Sequence, residues 1–180
     1  QTTVQASVKL PRLSPGVPSG NTWQIDASEV QVQGSLQALQ ADATARVTQG
    51  QTVAQMQTRW HAERASNAPT SLAAFSDWQG QMQSLQITAT PPRAASGAAP
   101  TWQAQLTQAL KWQWQTKGAT QALHWDAGAF NVQGPPPPGG TNGQRAVARL
   151  SWDAGEWTTT TDQSSNTRLN ARLDDWPLTW

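Results

Sequence analysis

The sequence predicts an all-β protein, a long antiparallel sheet with one apolar and one hydrated face, and three observations carry that expectation. Eleven Trp stand in a chain with only two Phe, no Tyr and no Cys. Most of them alternate with small polar residues, above all Gln, as in Leu110-Lys111-Trp112-Gln113-Trp114-Gln115 and Trp102-Gln103-Ala104-Gln105-Leu106. The same period returns in Ala146-Val147-Ala148-Arg149-Leu150-Ser151-Trp152. Pleating sends every second side chain to one side, so large apolar groups collect on one face and the other stays wet. A closed antiparallel β-sandwich uses the same alternation and is the alternative architecture.

Strand patterns run in order along the chain: Val4 to Leu10, Trp23 to Val32, Leu36 to Val47 and Val53 to Ala62. Trp78 to Met82 and Leu85 to Ala89 read as one strand with a bulge, because the apolar phase moves by one residue between Met82 and Leu85. Trp102 to Leu106, Leu110 to Trp114, Leu123 to Val132, Ala146 to Trp157 and Leu169 to Leu173 complete the series. Gly50, Gly118, Gly128, Gly134 and Gly155 are expected to supply positive φ at reversals, and Asn142-Gly143 is a two-residue hairpin signal. Pro11 to Ser19 and Pro135 to Gly140 read as loops, the latter a polyproline II excursion. Arg64 to Ser76 reads as a short helical turn.

Composition narrows the function. With 180 residues, a net charge of +1 and charged residues at 13%, the chain is one unit with no basic field to neutralise phosphates. Nucleic acid is therefore not an expected partner. Zero Cys excludes a disulfide framework and suits an oxidising compartment such as the bacterial periplasm. No apolar run reaches the roughly 18 to 20 residues that span a bilayer, and Gln1-Thr2-Thr3-Val4 does not open a signal peptide. The apolar ending Asp175-Trp176-Pro177-Leu178-Thr179-Trp180 reads as a piece of a longer protein, with residues 1–180 one segment of it.

Reactive chemistry is sparse. His61 with Glu63, and His124 with Asp126, are i, i+2 pairs that project to one strand face and carry metal-ligand chemistry, but solvated histidines are the simpler reading. No Cys nucleophile, Gly-x-Ser-x-Gly elbow or phosphate-cradling Gly motif occurs. Asp174 and Asp175, adjacent on a strand, point to opposite faces and make no glycosidase pair. The expectation is a protein that is not an enzyme and has no cofactor or metal.

The segment from Asp77 to Trp180 carries a resemblance. Trp78-Gln79-Gly80-Gln81-Met82, then Leu85-Gln86-Ile87-Thr88-Ala89-Thr90-Pro91, then Pro100-Thr101-Trp102-Gln103-Ala104-Gln105-Leu106 resembles a recurring passage of the TamB family of translocation and assembly module proteins. In that passage a Trp-x-Gly strand is followed by a Thr-Pro turn and a strand opened by Trp. Leu169-Asn170-Ala171-Arg172-Leu173-Asp174-Asp175-Trp176-Pro177-Leu178 is similar to the family's closing strand. Residues 1–76 share only the alternation, and the insertion from Pro135 to Gly143 and the spacer from Arg93 to Ala99 depart from the pattern.

The resemblance implies an AsmA-like β-groove: an antiparallel sheet curled into a taco with an apolar concave face. It implies a periplasmic, inner-membrane-anchored protein that carries phospholipid along the groove and supports outer-membrane protein assembly with a barrel partner. The anchor and the barrel contact would belong to parts outside this chain. On that reading Trp102, Leu106, Leu110, Trp112, Trp114, Leu123, Trp125, Leu150 and Trp152 line the lipid groove. The alternatives are a carbohydrate-binding β-sandwich, which Trp faces on sugar rings would suit, and a purely structural β-sandwich module. The Trp share phase with Leu and Ala rather than with Asp and Asn, which favours the groove.

Overall fold

The computed structural model describes residues 3–10, 23–65, 77–91, 101–135, 147–161 and 164–176. The described chain is strand throughout: β1 (Thr3–Leu10), β2 (Trp23–Ser35), β3 (Ala38–Gln49), β4 (Thr52–Arg64), β5 (Trp78–Thr90), β6 (Trp102–Leu106) and β7 (Leu110–Lys117). Then follow β8 (Thr120–Trp125), β9 (Gly128–Gln133), β10 (Val147–Trp152), β11 (Gly155–Thr160), β12 (Ser165–Arg168) and β13 (Ala171–Asp174). All belong to one 13-stranded sheet with free edges. It is open, which sets aside the closed sandwich: β1 and β13 end the main path of the sheet and do not pair with each other.

β1 to β5 form a simple meander, each strand antiparallel to the one before. β5 then divides the sheet. Its first half, Trp78 to Met82, pairs with β7, and its second half, Gln86 to Ala89, pairs with β6. One wing continues through β7, β8, β11 and β12, the other through β6, β9, β10 and β13. The wings are successive pieces of the same chain passes. The strand expected over Leu123 to Val132 is interrupted at Asp126-Ala127, that over Ala146 to Trp157 at Asp153-Ala154, and that over Leu169 to Leu173 begins only at Ala171 in β13, since Leu169-Asn170 is the break that separates it from β12.

These interruptions align into a seam that starts at β5, where Gln83 is the extra residue of a bulge between the pairs Arg59↔Ser84 and Trp60↔Met82. That is where the apolar phase of the sequence shifts. The ladder crosses the seam through backbone bonds, in which the amides of Thr107, Asp126 and Asp153 donate to the carbonyls of Ala129, Lys111 and Asn170 at 2.9, 3.0 and 3.1 Å. The passes of β5, β8–β9 and β10–β11 therefore change phase without losing their neighbours, whereas Leu106 and Leu110 keep one phase across the seam.

Turn chemistry is partly as the sequence suggests. Gly50 and Gly118 have φ of 58° and serve the tight turns β3–β4 and β7–β8, as αL residues without a Cβ penalty. Gly128, Gly134 and Gly155 do not take positive φ. Gly128 and Gly155 open strands instead, for a packing reason given below. Asp175 does take positive φ, 56°, so it leaves the strand rather than alternating with Asp174 inside it. The expected loop Pro11–Ser19, all of the loop Pro135–Gly140 but Pro135, the Asn142-Gly143 hairpin and most of the Arg64–Ser76 turn lie outside the described residues, although β4 itself runs to Arg64.

Candidate functional site

Cross-strand partners share a face and successive residues alternate, so the registers assign every described strand position to one side. One row runs Ala6, Val32, Ala41, Trp60, Met82, Leu110 from β1 to β7. Beside it run Leu39, Ala62, Gly80, Trp112, Trp125 and Gly155. In the other wing Ile87, Ala104, Val132 and Ala148 form a row of the same face, next to Leu106, Phe130, Leu150 and Leu173. The nine residues expected to line a groove, Trp102, Leu106, Leu110, Trp112, Trp114, Leu123, Trp125, Leu150 and Trp152, all fall on this face. The opposite face carries Gln, Thr, Arg, Lys and both His.

Nothing large is fully enclosed among the described residues. The buried apolar side chains are Met82, Leu106, Ala129 and Ala148, and among the described residues no second layer of strands lies over the apolar face. Its outer strands are bare, with Val8 and Leu173 each 51% exposed.

Aromatic rings cover part of the face. The sequence holds Trp125-Asp126-Ala127-Gly128 and, again, Trp152-Asp153-Ala154-Gly155. The two copies cross the seam side by side and antiparallel, so each Trp pairs with the other's Gly: Trp152↔Gly128 and Gly155↔Trp125. A Cβ on Gly128 would collide with the Trp152 ring, and one on Gly155 would stand 2.6 Å from Trp125 Cζ2. The indoles lie flat on bare backbone, which is why these glycines are required although their φ is ordinary. Trp152 Nε1 also donates to the carbonyl of Asp126 at 3.2 Å. Gly80 repeats the device under Trp112, whose Cζ2 would be 2.9 Å from a Cβ there. Trp112 Nε1 is enclosed without an acceptor.

Ring pairs extend the cover. Trp114 and Trp157 stack at 6.0 Å over the intervening β8, and Trp102 and Trp176 stack at 6.1 Å although β9 and β10 separate β6 from β13. Phe130 and Trp152 meet at 5.2 Å, tilted by 46°.

The hydrated face is not flat. A hollow of about 590 Å³ is bordered by His61, Glu63, Gln79, Gln81, Lys111, Gln113, His124 and Asp126. Both histidine pairs of the sequence thus meet one hollow, yet β5 and β7 stand between β4 and β8. Among the described residues no group of three or more His, Asp or Glu is placed to hold a metal ion. Glu63 accepts from Gln79 at 2.9 Å, and His124 Nδ1 faces Glu156 at 3.6 Å. Asp174 pairs with Arg172 at 2.6 Å.

Period-two reasoning located the face but missed the ring-on-glycine clasp. The repeated Trp-Asp-Ala-Gly was the available signal. No protein-family model, curated protein or solved structure matches this chain.

Proposed function

We propose that this chain is a segment of a bridge-like lipid-transfer protein of the TamB kind, whose apolar face carries phospholipid acyl chains between inner and outer membrane. On this reading it works in the periplasm without catalysis or cofactor. It is anchored by a segment outside this chain and supports outer-membrane protein assembly through a barrel partner met elsewhere.

One observation carries the reading: an open 13-stranded sheet whose registers align a continuous apolar face, with no second layer over it among the described residues. Such a face loses about 25 cal/mol for each Å² left in water, and an acyl chain gains about 0.8 kcal/mol per CH₂ covered. The stack of Trp114 on Trp157, whose strands β7 and β11 are two spacings, about 10 Å, apart, supports a face curved toward its apolar side.

The test uses the chain purified from membranes. Photo-crosslinking side chains in place of Val30 or Ala43 should yield lipid adducts, and the same groups in place of Gln113 or Gln57 should not. Trp114→Glu and Leu150→Arg should lower co-purified phospholipid more than strand content by circular dichroism, because an unpaired charge keeps the surface wet. Lys111→Glu should do little. Unfolding of both apolar-face variants, together with no adduct on the parent, would leave a structural module.

A further inference from the structure

The hydrated face holds a second arrangement that owes nothing to the apolar one. Register places Gln5, Gln33, Gln40, His61, Gln81 and Lys111 in a single row running from β1 to β7. A hollow of about 450 Å³ lies along the first part of that row, bordered by Gln5, Gln33, Gln40 and His61. The hollow of about 590 Å³ lies along the rest, bordered by His61, Gln81 and Lys111. The two meet at His61 and make one trough across the strands. Five strand spacings give it a length of about 24 Å.

Gln5, Gln33 and Lys111 are exposed, and Gln40, His61 and Gln81 are half-buried. Among the described residues none of these six side chains makes a hydrogen bond or ion pair within the protein, so their donors and acceptors are left for a ligand or solvent.

We propose that this trough binds a linear, uncharged, hydroxyl-rich polymer, an oligosaccharide laid across the strands. A carboxamide offers two donors and an acceptor without charge, the pattern that matches vicinal hydroxyls. Amide side chains recurring at the strand spacing of about 4.8 Å suit a ligand whose polar groups also recur. A polyanion is disfavoured, because Lys111 is the row's one fixed cation and Glu63 and Asp126 border the same hollow. An extended polypeptide recognises a sheet edge through its backbone, whereas this row crosses six strands and meets the edge strand β1 only at Gln5. Each hollow taken singly lies in the volume range of ligand sites.

The test is a titration of isotope-labelled chain with the β-1,4-linked N-acetylglucosamine hexamer, the β-1,4-linked glucose hexamer and heparin, followed on the Gln side-chain amides by NMR. At least one neutral hexamer should shift the amides of Gln33, Gln40 and Gln81, and its dimer should bind at least tenfold more weakly. Gln40→Ala with Gln81→Ala should weaken the hexamer at least tenfold. Gln55→Ala with Gln57→Ala, on the same face outside the trough, should not change it. Mapping on the parent chain needs no variant, so a folding defect leaves the test intact.

No shift with either hexamer at millimolar concentration, tighter binding of heparin, displacement by an extended peptide, or equal loss in both double variants would overturn the proposal. Lipid adducts are read on the opposite face, so the lipid-carrier reading and this one fail separately.

Discussion

The apolar face is built in two ways on either side of β5. From β1 to β4 it presents Val4, Ala6, Val8, Val30, Val32, Ala41, Ala43, Ala45, Val47, Ala54 and Met56, with Trp60 the one aromatic side chain described there. From β5 to β13 it presents Trp laid over Gly and stacked on Trp. The alternating period is identical, so period alone says nothing about what occupies the space above the strands. Small side chains leave it free. Indoles on glycine backbone fill it with the protein's own rings and hold the seam shut.

Backbone-on-ring packing should dominate stability, and the largest effect should come from Gly80→Val. Its Cβ would meet the His61 carbonyl as well as Trp112, and backbone cannot step aside. Loss of about 3 kcal/mol in urea unfolding is expected. Gly50→Ala meets nothing within 4 Å and pays only for its φ of 58°, about 1 kcal/mol. Equal costs at the two sites would erase the distinction between a covered and a bare backbone.

Next in size, Trp125→Ala should cost about 2 kcal/mol, below the range for a fully enclosed ring because Trp125 is half-buried. Ala43→Trp, on the bare half, should leave stability within about 0.5 kcal/mol, as substitutions away from packed sites do. It should lower co-purified lipid severalfold by filling the space. A marked loss of stability there would mean that the β1–β4 half is packed after all.

A finer comparison lies within the rings themselves. Trp152→Phe removes the bond to the Asp126 carbonyl, whereas Trp112→Phe removes an N–H that has no acceptor. The first should be less stable than the second by about 1 kcal/mol in thermal or urea unfolding.

The smallest effect concerns pH at the edge of the bare half. The Gln31 amide, 3.0 Å from Glu29, holds that carboxyl below its ordinary value; partial burial opposes this and Lys9 at 3.5 Å adds to it. A lowered folded value means a contribution present above the unfolded carboxylate's pKa and lost as pH falls through the folded one. Gln31→Ala should raise the Glu29 midpoint in an NMR titration.

Strand positions and the apolar face were legible because a sheet with one wet side writes its pleat into the sequence every second residue. The bulge at Gln83 was legible for the same reason: Met82 and Leu85 cannot share a face without an extra residue. The seam was legible only in part: the apolar phase also moves by one between Trp125 and Phe130, but nothing local shows that the breaks of successive passes line up. Gly128 and Gly155 were misread as turn residues because glycine's other use, to let a ring lie against the backbone, depends on a partner strand that local sequence does not reveal. The trough was hidden too, since its row joins residues from Gln5 to Lys111 that only the registers bring together.

Among the described residues every strand pairs only with the strands flanking it, and only the ring stacks Trp114–Trp157 and Trp102–Trp176 reach past a neighbour. Cohesion is therefore one-dimensional, as in a solenoid, and unfolding should travel inward from the ends instead of occurring at once. Amide exchange should be slowest along β4 and β5 and quicken stepwise toward β1 on one side and β12 and β13 on the other. A proline placed in β4 would then act as a cut, leaving two shorter sheets that melt at different temperatures.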